Sequence, residues 1–136
     1  MFRRRKTETV IERLPLSALG MFALRSWAGL NYIASFSSRP AKAGFAPAEL
    51  TPSARFFAAV FAAREFLMVG MVVRAAAIDR ATLRDALKAS AAVDAFDATA
   101  AVTLAMSGTR SRKGAVTSAV TGAMSGALSA VAAREV

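Results

Sequence analysis

Residues 114–133, GAVTSAVTGAMSGALSAVAA, run without one charged side chain. As a helix rising 1.5 Å per residue, such a run is about 30 Å long. That is the thickness of a bilayer's hydrocarbon core. A helix on the surface of a soluble bundle needs a wetted polar face, hence a charge every turn or two. Its Ser and Thr hydroxyls are tolerable in lipid, because the helix backbone or a neighbouring helix can take them up. The competing expectation is a soluble, Ala-rich helical bundle.

Three further apolar segments precede this one, at residues 14–36, 56–73 and 89–106. Each has a length near the ~20 residues needed to cross a membrane. The 136 residues suit one domain. The composition is 55% hydrophobic and 20% charged, and mean hydropathy is +0.41. A soluble domain is typically about 45–50% apolar and about 25% charged. The predicted fold is therefore all-α, a transmembrane four-helix bundle at residues 14–136 behind a basic leader at 1–13. The first connector carries Pro40, Pro47 and Pro52 and reads as a loop, with Thr51-Pro52-Ser53 opening helix two. Residues 74–88 have helical composition. They predict an interfacial helix or an extension of a neighbouring span. Residues 107–114 predict a tight basic turn. Arg3, Arg4 and Arg5 before an apolar run resemble a secretory signal. Arg25 interrupts that run, and no clean cleavage site follows, so helix one is expected to be retained.

The net charge is +9. A basic protein of this size could bind nucleic acid. Here the charges lie in short segments between apolar runs, with no basic stripe interleaved with aromatics for stacking bases. Such loops fit membrane topology and anionic lipid headgroups better. One set of ends and connectors carries Arg3, Arg4, Arg5, Lys6, Arg13, Arg74, Arg80, Arg84, Lys88 and Arg134. The other carries only Arg39, Lys42, Arg55, Arg110, Arg112 and Lys113. The positive-inside rule then predicts a multi-pass protein with both termini cytoplasmic. Cysteine and histidine are absent. That excludes disulfides, thiol nucleophiles, histidine bases and ordinary zinc sites. No P-loop, GxSxG or dinucleotide fingerprint is present. No metal or cofactor is expected.

Five charged residues fall inside the apolar segments. Helix one has Arg25, helix two has Arg64 and Glu65, and helix three has Asp94 and Asp97. Arg25, Glu65 and Asp97 lie about 12–17 Å from a segment end, near the membrane midplane. Unpaired, each costs ~2.5–3.5 kcal/mol on insertion. A small protein with ~5–15 kcal/mol of stability cannot absorb five such penalties. They are expected to pair, with Arg25 between Glu65 and the two aspartates. Adjacent residues on a helix point about 100° apart. Glu65 is thus expected at the centre and Arg64 toward a neighbouring helix, a subunit interface or the lipid headgroups. Three acids meet two bases, so one acid is expected to be protonated. That proton could be functional, or the cluster could simply hold the helices in register.

On helix four, Ser118, Gly122, Gly126 and Ala130 recur every fourth residue and include a GxxxG. Such spacing lets another helix approach closely. The approaching helix could belong to this bundle, a second copy or a partner subunit. Phe56, Phe57, Phe61 and Phe66 read as lipid-facing or core anchors.

Arg39-Pro40 with Gly44-Phe45 in the first connector, and Ala63-Arg64-Glu65 followed by Gly70 in helix two, resemble DoxX-like small four-helix membrane proteins. Such proteins commonly carry Asp where this chain has Glu65. The resemblance covers the first three helices. It implies a fold and a membrane location but no reaction. The leading functional expectation is an accessory or assembly subunit of a larger membrane complex. The alternatives are a small proton- or cation-coupled carrier using the midplane carboxylates, and a lipid- or quinone-binding protein or enzyme.

Overall fold

The computed structural model describes residues 9–34, 51–107 and 112–136. Among them a 3-10 turn, Ile11–Arg13, leads into four α-helices and no strand. These are α1 (Leu16–Ala34), α2 (Pro52–Ile78), α3 (Arg80–Met106) and α4 (Arg112–Glu135). The described residues fold as an all-helical unit. Arg39-Pro40, Gly44-Phe45, Pro47 and residues 108–111 of the expected basic turn lie outside the described residues.

Local chemistry sets the helix starts. Thr9 and Glu12 cap the opening turn reciprocally: the Thr9 amide donates to Glu12 Oε2 at 2.7 Å and the Glu12 amide to Thr9 Oγ1 at 3.4 Å. Pro52 occupies the first position of α2, where its missing N–H costs nothing. Residues 74–88 extend the neighbouring spans, the second of the two expectations for them. α2 runs on to Ile78 and α3 starts at Arg80, leaving only Asp79 between them. Asp79 is extended, and its carboxylate accepts from the Thr82 amide at 2.7 Å, which caps α3. On the other side of the junction, Arg13 Nη1 donates to the carbonyls of Ala76 (3.1 Å) and Ile78 (3.4 Å). A cation there complements the carbonyl end of α2.

The helices pack α1 on α2, α2 on α3, α3 on α4 and α4 on α1, with α3 and α4 the closest pair. Glycine explains that closeness. A Cβ on Gly122 would lie 3.3 Å from the Asp94 carbonyl oxygen, and one on Gly126 would lie 3.2 Å from Asp94 Cβ. The GxxxG face thus meets α3 of the same chain. Ser118 and Ala130, one turn beyond on either side, are half-buried. Gly29 does the same for α1 and α2: its Cβ would sit 3.1 Å from the Phe66 ring.

An apolar core forms at the end holding the α2–α3 junction. Ala18, Met21, Val72, Ala76, Leu83, Leu87, Ala132 and Ala133 are buried there. Arg74, Arg80, Arg84, Lys88 and Arg134 are exposed at the same end. Two of the four helices are long and apolar enough to cross a membrane: Arg55–Ile78 with mean hydropathy 1.9, and Val116–Glu135 with 1.4. Four spans were expected. α1 falls short because Arg25 and Asn31 interrupt it. α3 falls short because Arg80, Arg84, Asp85, Lys88, Asp94 and Asp97 dilute it.

Candidate functional site: a buried ion network

Arg25 is 1% exposed in the middle of the bundle. Its guanidinium is held from three directions. Nη1 donates to Glu65 Oε2 at 2.7 Å, and Nη2 donates to Asp94 Oδ2 and Ser90 Oγ, each at 2.7 Å. Nε meets Met21 Sδ at 3.2 Å, one turn back on α1. Ser90 Oγ in turn lies 3.3 Å from Ser129 Oγ on α4. One connected set of polar groups therefore touches all four helices. Glu65 and Asp94 are themselves 8% and 3% exposed.

A second pair lies at the edge. Arg64 Nη1 donates to Asp97 Oδ2 and approaches Glu65 Oε1 at 3.8 Å. The Arg64 and Asp97 side chains are half-buried rather than enclosed. Arg64 also lies over the Phe61 ring, 5.7 Å from its centroid, and Tyr32 stacks on that ring from α1 at 5.7 Å. The five ionisable residues come together as two units. Glu65 turns inward and Arg64 sideways, as their 100° separation requires. Asp94 and Asp97 divide between the units: Arg25 takes Asp94, and Arg64 takes Asp97. Arg25 therefore does not bridge Glu65 to both aspartates. The inner unit holds two carboxylates against one guanidinium.

Sequence reasoning passed over Ser90, Ser125 and Ser129. Serine is common in such apolar runs, so residue type carried no signal. Ser125 and Ser129 are four apart and flank Gly126, which puts them on the face turned toward α3. Ser125 Oγ and Arg64 Nη2 are buried and have no hydrogen-bond partner among the described residues. No group of three or more acidic residues there could hold a metal ion.

Large apolar side chains are exposed at this level and on toward the end opposite the α2–α3 junction. Leu67 and Phe96 are 72% and 73% exposed, and Trp27, Leu30, Phe56, Phe57, Val102, Val116, Val120 and Met124 are exposed as well. The polar side chains among them bond their own helix. Thr99 donates to the Ala95 carbonyl (2.8 Å), Thr103 to Thr99 (3.0 Å), Thr121 to Thr117 (2.8 Å) and Asn31 to Trp27 (2.8 Å). No protein-family model, curated protein or solved structure matches this chain.

Proposed function

We propose that the chain is a polytopic membrane protein of four spans with both termini cytoplasmic, and that it serves as an accessory or assembly subunit of a larger membrane complex. One observation carries the membrane part. At mid-bundle the charges are inside and the large apolar side chains are outside. Water would penalise that arrangement, and hydrocarbon favours it. The back-bonded Thr99, Thr103, Thr121 and Asn31 support it further, because lipid leaves a side chain no solvent partner. α1 and α3, too polar to insert alone, would be carried by pairing within the bundle. The resemblance to DoxX-like proteins points the same way.

The use of Arg25 supports the subunit reading over a carrier. Its donors are spent on the chain's own groups, so the network acts as a clamp on helix register. What the protein offers to others is its outer surface. Two tests apply. The native chain lacks cysteine, so single cysteines can be introduced. In intact vesicles, Leu67→Cys and Phe96→Cys should resist a membrane-impermeant maleimide, while Arg84→Cys should react from the cytoplasmic side only. Labelling of all three alike would sink the membrane reading. Affinity purification in mild detergent should recover a stoichiometric membrane partner. A carrier is the second possibility, favoured by the two carboxylates that share Arg25. Asp94→Asn discriminates: proton flux lost in liposomes with assembly intact supports a carrier, and lost assembly supports the clamp.

A further inference from the structure

An open groove of about 670 Å³ runs along α2, lined by Ala63, Phe66, Leu67, Gly70, Met71 and Arg74. These positions recur at three- and four-residue spacing and so form one helix face. Phe66, packed on Gly29 of α1, forms one wall. Gly70 forms the floor, and a Cβ there would meet nothing within 4 Å. Resting on the membrane reading above, we propose that this groove seats one acyl chain of an anionic phospholipid from the leaflet at the α2–α3 junction, with Arg74 holding the headgroup phosphate.

Dimensions and charge single out this occupant. From Ala63 to Arg74 the helix rises about 16 Å, close to half of a ~30 Å hydrocarbon core. The groove thus spans about one leaflet, from the level of the ion network to Arg74, the first exposed cation met along α2 from that level. Arg74 is exposed, and its guanidinium forms no ion pair among the described residues. It stands level with Arg84 on α3, while Lys88 lies about one turn nearer the network. A second copy suits the groove less well. Copies inserted the same way and paired about a two-fold through this face would bring Arg74 against Arg74.

The test uses the full chain purified in mild detergent, with native mass spectrometry after addition of phosphatidylglycerol or phosphatidylcholine of equal chain length. Wild type should retain one phosphatidylglycerol in preference to phosphatidylcholine. Arg74→Gln should reduce that preference about fivefold, the factor for ~1 kcal/mol per interfacial cation. Gly70→Leu fills the floor in open space without a clash and should lower retention of both lipids, with helicity by circular dichroism unchanged. Equal retention of the two lipids by wild type overturns the proposal, as does retention undiminished in Gly70→Leu. A dimer or partner complex lost in Gly70→Leu, with lipid retention unchanged, assigns the groove to a helix and also overturns it. An alkaline carbonate wash separates the two levels of inference. Release of wild type sinks the membrane reading itself. A carbonate-resistant chain without the lipid preference sinks the groove alone.

Discussion

The two halves of this bundle are built in opposite senses. At the α2–α3 junction, Leu83, Leu87, Val72 and Met21 are buried while Arg74, Arg80, Arg84 and Lys88 are exposed. About two helical turns further along, Arg25, Glu65 and Asp94 are buried while Leu67 and Phe96 are exposed. The same four helices make both halves. What differs is which side chains each half buries. Apolar burial stabilises a core only where the outside is water. In lipid, the outside is as apolar as leucine, and hydrogen-bonded polar groups with close backbone contact hold helices together. The chain thus buries apolar side chains at one end and a hydrogen-bonded ion network at its middle, the second arrangement being the one the proposed membrane location would favour.

The largest effect should come from breaking the inverted core. Arg25→Leu leaves two buried carboxylates facing each other and should destabilise the bundle by about 3–5 kcal/mol, read as loss of helicity on SDS titration in mixed micelles. Adding Glu65→Gln and Asp94→Asn to that variant should restore much of the loss. A small cost for Arg25→Leu alone would show that the network does not hold the helices. Next comes a swap of exteriors. Leu67→Arg puts a charge on the apolar surface and should cost ~2.5–3.5 kcal/mol in membrane insertion. Arg84→Leu at the junction end should change stability by no more than about 0.5 kcal/mol. Equal tolerance of both would erase the contrast between the halves.

A smaller loss is expected from Gly126→Leu. The new side chain must push against Asp94 Cβ, and overpacking of this kind costs about 1–3 kcal/mol. The same titration would detect it, and the effect should exceed that of Ala130→Leu one turn away.

The smallest effect should be at Asp79, exposed at the α2–α3 junction. Its carboxyl is held below the usual 3.8, chiefly by the Thr82 amide and hydroxyl. A folded-state pKa below the unfolded one gives stability that is present above the ordinary carboxylate range and lost as pH falls through the lowered value. Wild type and Asp79→Ala should therefore differ at neutral pH and converge in acid. A difference that persists at low pH would assign the cap to something other than the carboxylate.

All five members of the ion network were legible in the sequence, because Arg, Glu and Asp in long apolar runs are too costly to sit there by chance. Their partition was not legible. Whether Asp97 turns to Arg25 or Arg64 depends on the rotation of α3 about its axis, which is set by the contact of Asp94 and Ala98 with Gly122 and Gly126. The junction was legible only in part for a related reason. Helical composition left residues 74–88 open between an interfacial helix and an extension of a neighbouring span, and the buried stripe of Leu83 and Leu87, one turn apart, belongs to the extension. Ser90 and Ser129 gave no warning, because a serine in an apolar helix usually bonds its own backbone.

The amino-acid sequence by itself determined that the chain is helical, and which residues pay a penalty unless they meet. Helical periodicity and the cost of burying charge are local properties that composition and spacing express directly. Only the tertiary structure decided which charge meets which, that the GxxxG face is covered by α3 of the same chain, and that Ser90 and Ser129 extend the network to α4. Those outcomes depend on the azimuth and approach of whole helices. Contacts between residues far apart in the chain set them, and no short stretch of sequence specifies those contacts.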